Sequence, residues 1–458
     1  MATKTLTKNF TSGSIPKQLF WFALPFMASN ALQVLYSTID MMIVGKCVGQ
    51  AGVAAVSQSS LIINFAVMVC LGVSNAGQVL VSQALGSGKK QQLNHIIGTL
   101  FTLLISFSLF LAVIITACSV PILKIMNTPK ESYDMAMQYL IICAAGLIFT
   151  AGYNMVSAVL RGMGDSKSPL LFIAIASAIN LVLDVLFTGF LGFGVAGAAW
   201  ATIIGQTASF LFSVYYLYRR KAEIGFDFKL ASLKPSKKYL KLIVSLGTPM
   251  AIQSGFINIS MLFVTSLINS IGVNAGATFG VGVRIDDIIN KLCMGIQYAA
   301  IPMISQNIGA GAQKRAQRVV YWTWLYSGVF TVICVVLYKV FGQELFMLFA
   351  NEAEGYDTAL AKDFINAILW MFPAFAIMRG SGAFVQGIGN AKLSMILAIL
   401  DGVVLRIGLS WLFGIALNLG FYGFVLGYGL APYGFALPSM VYFLSGKWKK
   451  RKALSDDM

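Results

Sequence analysis

The chain has 458 residues, 58% of them hydrophobic and 11% charged, and a mean hydropathy of +0.78. A soluble domain of that length needs far more polar residue to cover its surface, which excludes a soluble globular protein. Lys and Arg outnumber Asp and Glu by 33 to 17, but their placement in alternate loops marks membrane topology and excludes a nucleic-acid-binding face.

In chain order, twelve mainly apolar runs are each long enough to cross a hydrocarbon core of roughly 30 Å. They lie near residues 18–45, 53–84, 95–122, 134–160, 169–191, 194–218, 240–270, 276–306, 319–341, 361–388, 393–415 and 419–445. The first run is too long for the apolar region of a signal peptide and has no convincing cleavage site, so it is read as a span. The predicted organisation is an N-terminus (1–17), a first six-span lobe (18–218), a basic linker (219–239), a second six-span lobe (240–445) and a C-terminus (446–458).

One set of loops carries 24 basic residues, among them Lys4, Lys8 and Lys17, eight between Arg219 and Lys241, and five between Lys447 and Lys452; the other set carries 5. Positively charged loops stay in the cytoplasm, which predicts cytoplasmic termini in a plasma or inner membrane. Contact with anionic lipid fits the same excess, and no nucleic-acid partner is expected. The six cysteines are scattered without a C-x-x-C pair and read as small packing residues.

The first span holds Pro25 and then Asp40, five residues before Gly45. The fifth holds Asn180 and Asp184, and Asp184 lies five before Gly189. Both carboxylates are therefore expected about one and a half turns below the same membrane surface. Asn180 and Asp184, four apart, share a helix face, and Thr202 of the sixth span returns to a similar depth. An acid inside a span is by default a functional residue, since a charge there costs several kcal/mol unless paired, protonated or hydrated. Two close carboxylates repel in low dielectric, so the pair is a candidate acceptor of H⁺ or Na⁺. Asn180 and Thr202 add neutral oxygens suited to a hard cation.

The halves repeat. VSQALGSGKKQQ from Val81 returns as ISQNIGAGAQKR from Ile304, matching Gln83 with Gln306, Gly86 with Gly309 and Gly88 with Gly311. AVLRGMGDSK (Ala158 to Lys167) returns as AFVQGIGNAK (Ala383 to Lys392), Pro25 matches Pro249, and Gly72 matches Gly295. Six spans per half give parallel repeats, with substrate expected near the midplane between them. The acidic pair is not repeated: Leu405 and Leu409 stand opposite Asn180 and Asp184. The second half has its own charges, Arg284, Asp286, Asp287, Lys291, Arg379, Asp401 and Arg406. They are candidates for ion pairing, for lining a polar cavity, or for contact with substrate or ion, and Asp287 and Lys291 have the i,i+4 spacing of a pair.

With its Q-x-x-G-x-G ends of spans two and eight, Pro25, and the quartet Asp40, Asn180, Asp184 and Thr202, the chain resembles a multidrug and toxic compound extrusion (MATE) transporter of the DinF-like branch. The resemblance covers roughly residues 15–445. It implies two lobes in a V around a central cleft, efflux of drugs against H⁺ or Na⁺, coupling at the quartet, and a bend of the first span at Pro25. No other cofactor is implied, and a monomer is expected. A second-lobe cation site known in another branch uses a span-seven carboxylate. Here that stretch has Gln253 and no acid, so the site is not carried over.

Amphipathic organic cations suit aromatic and thioether surfaces, and Tyr36, Met68, Tyr153, Met155 and Met261 are candidate contacts. Gly88 and Lys89 fail the phosphate-loop pattern, because Gln83 and Lys90 stand where Gly and Ser or Thr belong, which excludes an ATP-driven pump. A remote alternative is an intramembrane prenyl transferase using Asp286, Asp287 and Asn290. A closer one is a flippase for a lipid-linked precursor, whose diphosphate would call for cations such as Arg284, Lys291, Arg379 and Arg406.

Overall fold

The computed structural model describes residues 8–350, 357–456 and 458; Lys4 lies outside them. The protein is an all-α polytopic membrane protein. Among the described residues, eleven helices are long and apolar enough to cross a bilayer. Six come first: Ile15–Cys47, Gln50–Gly86, Lys90–Ala117, Lys130–Gly162, Lys167–Phe190 and Gly194–Arg219. The other five are Lys237–Asn269, Gln313–Met347, Thr358–Gly387, Ala391–Ala416 and Gly420–Leu444. The eighth span, Val273–Gly309, is as long as the second at 37 residues, but Arg284, Asp286, Asp287, Asn290, Lys291 and Gln297 break its apolar run. Helices are the expected outcome, since a backbone in lipid must satisfy its hydrogen bonds within the segment.

The chain divides into two compact units, one built on Ala28–Ala251 and the other on Phe10–Met27 with Ile252–Asp457. In the first unit the second and fourth spans make the most extensive pairing. Ser82 of the second span donates its hydroxyl to the Gly162 carbonyl at 3.0 Å, and a Cβ on Gly162 would lie 2.9 Å from the Gln78 carbonyl oxygen. The second unit repeats the joint: Ser305 donates to the Gly387 carbonyl at 2.9 Å. The motifs matched in the sequence are thus helix–helix joints, in which small residues let backbones approach closely.

The first and seventh spans are shared between the units. Residues through Met27 belong with the second repeat, and residues through Ala251 with the first. Pro25 and Pro249 each stand two positions before these crossing points, where each removes one helical hydrogen bond. Each crossing residue sits over a glycine of its unit. A Cβ on Gly295 would lie 2.6 Å from Met27 Cγ and 2.8 Å from its backbone nitrogen; one on Gly72 would lie 2.6 Å from the Ala251 nitrogen. Gly72→Val and Gly295→Val are therefore expected to destabilise the purified protein by about 1–3 kcal/mol or more. Gly328→Val, where nothing lies within 4 Å, is the control. Equal losses of melting temperature at all three positions would refute this account.

The chain entering each unit is tied down. Phe10 donates its backbone N–H to Gln306 Oε1 at 3.0 Å, and its carbonyl accepts from Asn307 Nδ2 at 3.1 Å and Arg315 Nε at 2.9 Å. In the linker, the Leu233 carbonyl accepts from Thr102 Oγ1 at 2.6 Å, and Ser236 donates its N–H to Thr99 Oγ1 at 3.1 Å. Asp227 of the linker is held below the usual carboxylate range, first by the Ser232 hydroxyl and then by the Lys229 N–H.

Candidate functional site

The first unit gathers the polar residues of spans one, five and six. A Cβ on Gly205 would lie 2.9 Å from the Ala176 carbonyl oxygen, so this glycine is what allows the sixth span to approach the fifth. Across that joint Asn180 Nδ2 donates to Thr202 Oγ1 at 3.4 Å. Asp184 ends the α-helical part of its span, and Val185–Phe190 continues as a π-helix. Such wide turns occur often at functional sites.

Asp184 is 1% exposed. Its carboxyl lies beside that of Asp40, with Asn180 as the other nearest polar group. Neither Asp184 oxygen receives a donor at hydrogen-bonding distance, and neither does Asp40 Oδ1. The other ionisable groups closest to Asp40 are Tyr36, Tyr139 and Cys143, none of them a cation. Among the described residues no Lys, Arg or His pairs with either acid. A buried and a half-buried carboxyl, with three oxygens that receive no donor and no counter-cation among the described residues, form an oxygen donor set that fits a proton or a hard cation.

A cavity of about 30 Å³ adjoins the quartet, lined by Gln33, Tyr36, Tyr153, Asn180, Thr202 and Gln206 among others. That is room for a water or two, far below the roughly 300–1,000 Å³ of a drug site. Gln206 Oε1 and Ser177 Oγ are buried there without partners. Gln33, Ser177 and Gln206 were not singled out in the sequence. The signal was present, since 33/36/40, 177/180/184 and 202/206/209 are each one helical face. Of the candidate substrate contacts, Tyr36 and Tyr153 line this cavity. Met155 is buried in the unit's core, Met68 is half-buried, and Met261 places its Sδ 3.2 Å from Arg406 Nη1 in the other unit.

The second unit sorts its charges differently. Lys291 and Asp287 pair at 2.6 Å on a half-exposed surface; Arg284 is exposed. Asp401 and Arg406 form a buried ion pair at 3.0 Å, five residues apart. Leu400–Ile407 is a π-helix, and its i→i+5 periodicity superimposes side chains that an α-helix would splay. Asp286, 3% exposed, accepts from the Tyr338 hydroxyl at 2.7 Å. Arg379, 2% exposed, donates from Nη1 to Gln297 Oε1 at 3.0 Å and from Nη2 to Asn290 Oδ1.

A bundle of membrane-spanning helices, with a small polar cavity beside Asn180 and Thr202 in its first unit, is the architecture of a polytopic membrane transporter. The MatE family model matches the chain twice, over residues 25–186 and 249–412, and the chain belongs to that family. The probable multidrug resistance protein YpnP of Bacillus subtilis is 31% identical over 448 residues, covering 98% of this chain and 99% of its own. Multidrug export protein MepA of Staphylococcus aureus is 24% identical, covering 86% and 87%. A crystal structure of MATE in the bent conformation matches with a TM-score of 0.88 at 22% identity, covering 97% of this chain and 98% of that one.

Proposed function

We propose that the protein is a cation-coupled antiporter that exports amphipathic organic cations by alternating access, exchanging them for H⁺ or Na⁺ at Asp40, Asn180, Asp184 and Thr202. The observation that carries the reading is the pairing of half-buried Asp40 with buried Asp184, whose carboxyls have no counter-cation among the described residues. The names of YpnP and MepA support drug export. Occupation of the site neutralises it and lets the first span reposition around Pro25, so that ion and drug compete. Tyr36 and Tyr153 meet the drug in a conformation more open than this one. The coupling ion is the only cofactor, H⁺ being preferred, and the protein works as a monomer in the plasma membrane.

Proteoliposomes test this directly. An imposed pH gradient is expected to drive ethidium transport, and a Na⁺ gradient at fixed pH to drive it only if Na⁺ is the coupling ion. No transport under either gradient overturns antiport. Both termini and the linker are placed in the cytoplasm. A cysteine introduced at Ser236 should therefore resist impermeant maleimide in intact cells and react in inside-out vesicles; the reverse pattern overturns the orientation.

A further inference from the structure

Among the described residues, the second unit contains one buried cation that no acid neutralises. Arg406 is paired with Asp401 at 3.0 Å and Lys291 with Asp287 at 2.6 Å, while Asp286 is engaged by the Tyr338 hydroxyl. Arg379 is 2% exposed, yet its surroundings are the neutral oxygens of Gln297 and Asn290, the thiol of Cys293 and the face of Phe375, 5.0 Å from its guanidinium carbon. Its Nε is buried with no acceptor, and among the described residues no carboxylate lies within ion-pairing distance. An uncompensated guanidinium inside a span costs several kcal/mol and is retained where it serves a ligand.

The surroundings fit a ligand. Asn290 and Gln297, two turns apart on the eighth span, grip the two terminal nitrogens and fix the plane of the guanidinium. Nε, buried and without a hydrogen-bond partner, keeps its donor unused on the edge by which Arg binds carboxylate or phosphate bidentately. Phe375 supplies an apolar platform beside it. Asn290, which accepts from Nη2, is itself only half-buried. We infer that Arg379, framed by Asn290 and Gln297, is an anion-binding subsite that takes the carboxylate, sulfonate or phosphate group of an amphipathic substrate. The inference rests on reading the chain as an exporter of amphipathic molecules, and it adds acidic and zwitterionic compounds to the cations proposed above.

Two dyes with one ring frame provide the test: rhodamine 110, which carries a free carboxylate, and rhodamine 123, its methyl ester. Binding is measured by fluorescence anisotropy with the protein in nanodiscs. Arg379→Gln is expected to weaken binding of the acid by at least about tenfold while changing the ester by less than about threefold, since only the acid loses a buried charge partner. Arg379→Lys, which keeps the charge, should fall between. In the wild type, naphthalene-2-sulfonate should displace the acid dye and the neutral naphthalene-2-sulfonamide should not. This readout needs no variant to fold. Displacement by farnesyl phosphate at lower concentration than by the sulfonate keeps the site and assigns the anion to a lipid phosphate.

A purely structural Arg379 gives equal losses for both dyes, and that result overturns the inference. So does a wild type that binds no acid dye, or one that releases it equally to sulfonate and sulfonamide. Ethidium, which has no acidic group, separates the two readings. If the wild type exports no ethidium but binds the acid dye through Arg379, the cation-export reading falls and the anion subsite stands.

Discussion

Asp184→Asn and Asp40→Asn are each expected to lower ion-driven efflux by roughly 100-fold, at the upper end of ordinary coupling free energies. Membrane insertion and drug binding should persist. Asparagine keeps the shape of the acid but neither takes up nor releases a proton and carries no charge for a cation, so each variant prevents the cycle of uptake and release. The two carboxyls lie side by side, and if they hold one ion as proposed, the double variant should be little worse than either single one, the non-additivity expected of groups that work as a unit. Initial efflux rates from proteoliposomes, with drug binding measured in parallel, decide the matter. Near wild-type transport by the double variant, with an unchanged response to pH and Na⁺, would sink the assignment.

The second large effect is on stability. Asp401→Asn leaves Arg406 in its buried site without a counter-ion and should destabilise the protein by about 3–5 kcal/mol. Asp401→Leu combined with Arg406→Met removes both charges and should recover most of that loss, because a buried ion pair replaced by apolar side chains of similar volume is often neutral or better. Asp287→Asn, which breaks the half-exposed pair with Lys291, should cost no more than about 1 kcal/mol. Melting temperatures of the purified variants in one detergent supply the comparison. If Asp401→Asn costs no more than Asp287→Asn, the buried pair is not what holds Leu400–Ile407 in its wide turn. In those Asp401 variants that fold, coupling should survive, because the acid pair of the first unit is intact.

The sequence by itself determined the class of protein, the approximate spans and the internal repeat. Apolar run length and the alternation of basic loops are one-dimensional properties, and a bilayer converts them almost directly into helices. It also marked Asp40, Asn180, Asp184 and Thr202, because acid and amide groups stand out in apolar text and α-helical spacing aligns those on one span. The faces that carry Gln33, Ser177 and Gln206 were equally legible as extensions of the same stripes.

Only the tertiary structure decided which residues meet across long stretches of chain. Gly72 receives Ala251, Gly295 receives Met27, and Arg379 reaches Asn290 and Gln297 on another span. No local periodicity encodes such joints, because they depend on how closely two helices pack. The division of the first and seventh spans between the units has the same origin: each is one continuous apolar run, and nothing along it says which half packs where. The pairing of Asp401 with Arg406 was hidden for a different reason. Their spacing of five places them on different faces of an α-helix, and only the switch to a π-helix, settled by packing and hydrogen bonding in three dimensions, brings the buried acid and its cation together.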